Sequence, residues 1–290
     1  MILLLFLLID LEPVPAKNPL EFRVEKNGNG YWLRDRMHLW HWDRTKKVVF
    51  STFSHEGARP ISFILFKGRY IVGWAKGKSF WVTTHGKDGK ELDRVNDFFA
   101  DYFFNIHGVL HTSPDRKYLH EPALVPIPNW EAKPGYFKRP LLDYNFREVW
   151  VALHGSKVLA VSQLEASIHI FQDGNELQSE KLKLTDFIPW QTPIKVDPND
   201  IDGSALKWFK SFSRVVGFDK VKKGFVFAYE PGGNNTHTKV LRLNEQLDII
   251  STTQYKGWTL EGYFWGGTDG EHVYVFDTQS FKVIPLEWPD

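Results

Sequence analysis

His38 and His41 stand three residues apart and His107 and His111 four apart, so imidazole is the first group to test for metal or proton chemistry. On a strand, a spacing of three sends two side chains to opposite faces, so His38 and His41 cannot hold one ion between them. His107 and His111 would share a face, but two imidazoles leave a zinc shell half filled. "HGVLH" also lacks the glutamate of a metalloprotease helix. No metal site is expected. Carboxylates are plentiful near predicted strand ends, at Asp35, Glu56, Asp101, Glu148, Glu165 and Glu261. Glycoside hydrolysis needs two of them about 5 to 9 Å apart across the scissile bond, and no spacing singles out such a pair. Serine chemistry finds no "GxSxG". The Gly-rich stretch Tyr229 to His237, "YEPGGNNTH", does not lead into a helix as a phosphate-binding loop would, and reads as a strand connection. It carries the sequon Asn234-Asn235-Thr236, which matters only in a glycosylating host.

A binding role makes fewer demands. A few polar groups among aromatic ones in a concave site are enough to orient a ligand. The candidates are His55, Glu56 and Arg59 in one loop, with Tyr102, Arg147, Trp208, Arg214 and Trp265 elsewhere. Arginine suits carboxylate or phosphate groups, and tryptophan suits sugar faces or protein partners. Trp208 and Arg214 stand out because they border the longest insertion, and functional residues concentrate on loops.

The elements that must position these residues are strands. Short alternating runs broken by Gly, Asn, Asp and Pro cover almost the whole 290-residue chain, and helical periodicity is scarce. A phrase recurs: "SFWVTTHGKDGKELDRV" (Ser79 to Val95) is echoed by "SIHIFQDGNELQSEKLKL" (Ser167 to Leu184). Each has two runs joined at an Asp-Gly turn, which accepts the positive φ angles of a tight hairpin. Weaker copies are "HLWHWDRTKKVVFSTF", "TKVLRLNEQLDIISTT" and "HVYVFDTQSFKVIPL". Turns near Asp43, Asp88, Asp115, Asp173, Asn244 and Thr278 recur at intervals averaging close to the roughly 40 to 50 residues of a four-stranded propeller blade. The longest interval holds the Pro- and Asp-rich insertion "TDFIPWQTPIKVDPNDIDGSALKW", read as a long loop with a helical turn. The expected fold is an all-β propeller of six four-stranded blades over residues 20–290, with five or seven blades, or a pair of β-sandwiches, as alternatives.

Composition fits a packed core: 42% of residues are hydrophobic and 16% aromatic, with 12 Trp. Lys plus Arg number 36 against 35 for Asp plus Glu, which removes the electrostatic case for a nucleic-acid binder. There is no cysteine, so disulfides, thiolate metal sites, catalytic thiols and lipid attachment through an N-terminal Cys are excluded. Residues 1–19 begin with an apolar run too short for the roughly 20 residues of a membrane span. The run has the hydrophobic segment of a secretory signal and a Val14-Pro15-Ala16 ending, yet lacks a basic start and carries Asp10 and Glu12. It reads either as signal-like or as a closing strand, with Ile2 to Ile9 or Leu20 to Val24 completing the sheet of "HVYVFDTQSFKVIPL".

One stretch resembles a known group. "SHEGARPISFILFKGRYIVGWAKGKSFWVTTHGKDGKELDRV" is similar to the repeat of six-bladed propellers abundant in Bacteroidota, NHL/TolB-like proteins that are often exported and of unknown function. Gly57, Pro60, Phe63, Gly68 and Asp88-Gly89-Lys90 match that repeat, while Ala58 and Ser62 replace the Gly and Glu of its opening "GxGPxEF". "KVLAVSQLEASIHIFQDGNEL" and "SRVVGFDKVKKGFVFAYE" resemble later blades. "TSPDRKYL" is similar to the "SPDGkyl" turn of TolB-like propellers, with Arg116 in the Gly position. With no catalytic constellation singled out, the expected function is a non-catalytic ligand- or protein-binding module of the periplasm or cell envelope, monomeric, without cofactor, with a glycan or protein partner. A propeller enzyme acting on glycans, hydrolase or lyase, is the competing expectation, and a purely structural scaffold a third.

Overall fold

The computed structural model describes residues 9–16, 19–25, 30–53, 57–98, 103–106, 109–112, 149–172, 175–190, 207–233, 237–257 and 263–286. Apart from a helical turn over 207–210, their regular elements are strands. A two-residue strand, β1 (Ile9–Asp10), precedes a sheet of β2 (Glu21–Val24), β3 (Gly30–Arg34), β4 (His38–Asp43) and β5 (Val48–Phe53). The next sheet is β6 (Arg59–Phe66), β7 (Arg69–Lys76), β8 (Ser79–His85) and β9 (Glu91–Asn96), followed by the hairpin β10 (Phe103–Ile106) and β11 (Val109–Thr112). Then come β12 (Val149–His154), β13 (Lys157–Ser162), β14 (Ser167–Gln172) and β15 (Asn175–Lys181). A fourth sheet holds β16 (Arg214–Val221), β17 (Gly224–Glu230), β18 (His237–Leu243) and β19 (Ile249–Lys256). The last holds β20 (Tyr263–Thr268), β21 (Val273–Asp277) and β22 (Lys282–Leu286).

The fold is an all-β propeller with four-stranded antiparallel blades. Five such blades are present among the described residues, where the turn spacing predicts six. Between the second and third of them the described residues hold the two-stranded hairpin β10–β11, and the predicted turn at Asp115 lies outside the described residues.

Four copies of the repeated phrase are outer blade halves: β4–β5, β8–β9, β14–β15 and β18–β19. The fifth, β21–β22, sits one strand further in, because the outermost strand of that sheet is β1. Ile9 pairs with Val283 and Asp10 with Lys282, while Glu21–Val24 belongs to the first blade. Turn chemistry behaves as the sequence requires at the described positions. Asp43 accepts from the Thr45 amide and hydroxyl, Asn244 from the amides of Gln246 and Asp248, and Gly89 turns at φ 78°.

The strands divide into two compact units, one built on β1–β11 with most of β20–β22, the other on β12–β19. In the first, Trp32, Leu39, Phe50, Phe63, Tyr70, Val72 and Trp74 form one core, and Phe22, Tyr31, Trp42, Tyr274 and Phe276 another. In the second, Ile168, Phe218, Phe225, Phe227, Tyr229 and Leu241 pack between two blades. Central strands are buried on both faces, so β17, "GFVFAYE", is a continuous apolar run where β2 alternates. Each fully buried large side chain contributes about 1.5 to 3 kcal/mol, which explains the abundance of aromatics.

Candidate binding site

The insertion between β15 and β16 folds back on the loop end of the fourth blade, where β16 begins and β17 ends. Its described parts are 182–190 and the helical turn over 207–210. Trp208 and Phe212 are buried with Leu164, and Trp190 and Phe209 pack against them half-exposed. Ile188 and Pro189 are exposed beside Trp190. The result is an apolar, aromatic patch of Ile188, Pro189, Trp190 and Phe209 at the surface.

Beneath it lies a polar floor. Arg214 is buried, donates from Nη2 to the buried carboxylate of Glu230, and stacks with its guanidinium carbon 3.7 Å from the centroid of the Phe209 ring. An ion pair is tolerated out of water only when it is so closely matched. Ser213, fully buried, accepts from the amides of Ile188 (2.8 Å) and Gly232 (2.9 Å), and the Ser213 amide donates to the Ile188 carbonyl (2.8 Å). Gly232 is required there: a Cβ on it would stand 2.7 Å from the Phe212 carbonyl carbon and 2.8 Å from its Cα. Asp186 completes the brace, accepting from the Tyr229 hydroxyl and the Lys239 ammonium, each at 2.6 Å. Burial alone would raise the Asp186 carboxyl, but Lys239 and Tyr229 hold it below the usual carboxylate range. The Tyr229 hydroxyl is pushed well above the ordinary phenol range by burial and by the Asp186 charge. Asp186 therefore holds its charge against Lys239 and a neutral Tyr229 hydroxyl, and Arg214 is matched to Glu230, an arrangement that braces the floor beneath the patch.

Of the residues singled out from sequence, Trp208 and Arg214 come together here through Phe209, and both are buried. Arg59 is exposed at the start of β6, and Trp265 is half-buried on β20; both belong to other blades. His55, Glu56, Tyr102 and Arg147 lie outside the described residues. The patch residues not singled out from sequence, Ile188, Trp190 and Phe209, lie within or immediately after the same insertion. Their signal was the aromatic density at its two ends.

A second polar cluster sits between the first two blades. His41 is buried, stacked on Trp32 at 4.2 Å between ring centroids, with Nδ1 3.1 Å from the Tyr70 hydroxyl. Its Nε2 faces Glu25 Oε1 at 3.3 Å, an ion-pair distance without hydrogen-bond geometry. Trp32 Nε1 donates to the same oxygen. Burial opposes the Glu25 charge, yet His41 and Trp32 hold its carboxyl below the ordinary value. Tyr70 is raised by burial and by the charges of Glu25 and Asp43. Next to it, Trp74 Nε1 donates to Thr83 Oγ1, which lies 2.8 Å from His85 Nε2. Buried as it is, this cluster ties the first two blades together.

His38 and His41 do point to different environments: His38 is partly exposed and sits 3.3 Å from Asp35, whose carboxylate also accepts from the amides of Met37 and His38. Among the described residues no three His, Cys, Asp or Glu groups converge where they could hold a metal ion. The side chains of His107 and His111 fall outside the described set, as do Glu56, Asp101, Glu148 and Glu261. Glu165 faces His169 at 3.7 Å.

No protein-family profile matches the chain, and no curated protein matches it in sequence. Its structure is similar to that of a duf4221 family member from Bacteroides vulgatus, with a TM-score of 0.55 at 12% identity over 96% of each chain. It is equally similar, at a TM-score of 0.55 and 12% identity, to a Bacteroides fragilis protein named as a candidate exported protein, over 93% of this chain and 83% of that one. At such identity the likeness is one of fold.

Proposed function

We propose that this propeller is a non-catalytic binding module of the cell envelope, which takes a glycan or a protein segment on the aromatic patch of its fourth blade. The observation that carries the reading is the pairing of a half-exposed Trp190 and Phe209 with a floor of saturated charges. Rigid aromatic surfaces gain contact area at little entropic cost, and stack on sugar rings or accept apolar side chains. The described carboxylates of the site are committed to Arg214, Tyr229 and Lys239, an arrangement suited to holding shape. The NHL/TolB-like repeat and the Bacteroides fragilis structural neighbour named as a candidate exported protein support placement outside the cytoplasm.

The test is a thermal-shift screen of the full chain against a panel of oligosaccharides and of peptides, repeated with Trp190→Ala and Phe209→Ala. A ligand that binds only the folded state raises the melting temperature. The expected result is a shift with one ligand class that either substitution abolishes. Turnover of a glycan, or a shift that both variants retain, overturns the reading.

A further inference from the structure

Every open sheet ends in strands whose outward amides and carbonyls are unpaired, and proteins guard such edges with charge, brevity or cover. Among the described residues the outer edges of the four-stranded blades are guarded with one exception. The outermost strand of the last blade, β1, is two residues long. In β9, "ELDRVN", three of six residues are charged, and in β15, "NELQSEK", three of seven. Strand β5 has the Gly86–Lys90 turn beside it, with the Ser51 carbonyl 3.8 Å from where a Cβ on Gly89 would stand. Among the described residues strand β19 has none of these. From Ile249 to Tyr255 it reads "IISTTQY", seven residues without charge, proline or glycine, rich in β-branched side chains. Ile249 and Ile250 are 39% and 52% exposed, and among the described strands β19 pairs only with β18.

Symmetry selects the occupant. A two-fold axis normal to a sheet keeps every side chain on its own face, so a residue can oppose its own copy but not the copy of its neighbour. Applied to β9, the two central registers oppose Asp93 with Asp93 or Arg94 with Arg94, and like charges directly opposite are destabilising. Applied to β15, two edges each carrying two Glu and one Lys come together. Applied to β19, the central registers oppose Thr252 with Thr252, Ser251 with Thr253 and Ile250 with Gln254, or Thr253 with Thr253 and Thr252 with Gln254. Thr–Thr and Thr–Ser pairs across strands are favourable.

We infer that β19 is a pairing edge for a second copy of this chain, joining two fourth blades antiparallel into one continuous sheet about a two-fold axis. This replaces the sequence expectation of a monomer, and it is independent of what the aromatic patch binds. The chain's lack of cysteine makes the test clean. Directly opposed Cα atoms in an antiparallel pair lie about 4.5 to 5.5 Å apart, within disulfide reach. Sedimentation velocity of the full chain over a rising concentration series is expected to show a species of twice the chain mass, and Thr252→Lys, at an exposed position, to remain at single mass throughout. Under mild oxidation Thr252→Cys or Thr253→Cys is expected to cross-link into dimer, while Leu92→Cys on β9 and Leu177→Cys on β15 are not. A single mass for the wild type at every concentration overturns the inference. So does a dimer that survives Thr252→Lys, or one that cross-links as well through β9 or β15.

Discussion

Arg214 lies face to face with Phe209, its guanidinium carbon 3.7 Å from the ring centroid, while the same group is bound to the carboxylate of Glu230. The first contact fixes the helical turn that carries the exposed edge of the patch, and the second anchors the start of β16 to the end of β17. Replacing Arg214 with Leu leaves the buried Glu230 carboxylate without its counter-charge, a loss of about 3 to 5 kcal/mol. Arg214→Lys keeps the charge but not the planar stack, and is expected to fall between the two. Denaturant midpoints of the three proteins check this, and equal midpoints for wild type and Arg214→Leu contradict it.

Gly232 permits the approach of two backbones that would otherwise be held apart. Its amide donates to Ser213 Oγ, and a Cβ there would meet the Phe212 and Ser213 main chain at 2.7 to 3.0 Å. Backbone atoms cannot rotate away as a flexible side chain can, so Gly232→Ala must displace the 231–233 segment. The expected cost is about 1 to 3 kcal/mol, with faster hydrogen exchange at the Gly232 and Ile188 amides. Unchanged exchange at both amides would show that the loop tolerates the methyl group.

The strands and hairpin turns were legible in the sequence because their signals are local. Asp43, Asp88 and Asn244 mark turns since a short polar side chain caps the backbone beside it, wherever the hairpin then packs. That the last phrase lies one strand further in was not local: β21–β22 reads like the others, and only pairing with Ile9–Asp10 moves it inward. The site was half legible for the same reason. The long insertion drew attention to Trp208 and Arg214, but nothing near Arg214 in sequence reveals that Glu230, sixteen residues on, neutralises it inside the protein. Position beside a long insertion marks an arginine as a candidate, but it carries no information on the carboxylate that pairs with it across the blade.

Tyr70 joins the first two blades through both its hydroxyl and its ring. Its hydroxyl lies 3.1 Å from His41 Nδ1, and its ring stacks on Phe50 with centroids 3.9 Å apart. Tyr70→Phe preserves the stack and removes the hydroxyl, leaving a buried ring nitrogen without its partner. A lost partner of this kind costs about 1 to 3 kcal/mol. Thermal unfolding gives the stability, and the ¹⁵N shifts of the His41 ring report whether its tautomer changes. A variant as stable as wild type with an unaltered His41 spectrum would reduce the contact to packing alone.

Two histidines respond to pH in opposite senses, and the difference predicts the acid limb of the stability profile. His169 lies between Glu176 (2.6 Å at Nδ1) and Glu165 (3.7 Å at Nε2). Burial disfavours its protonation, but the two carboxylates outweigh that and raise it above the ordinary 6.5. A raised value means the folded state holds the proton more tightly. The stabilisation is complete below the unfolded value and is lost as pH climbs through the folded one. His85 is lowered, chiefly by burial beside Thr83, and the sign reverses: its contribution is present above the unfolded value and is lost as pH falls through 6.5 toward the folded one. Glu176→Gln removes the closer carboxylate from His169, so its titration should shift to lower pH while that of His85 stays in place. Histidine ring-proton NMR across this range measures both. If His169 titrates identically in wild type and Glu176→Gln, the carboxylate is not what holds the proton; if it moves down, the melting-temperature gap between the two proteins should be widest on the acid side and close as pH rises.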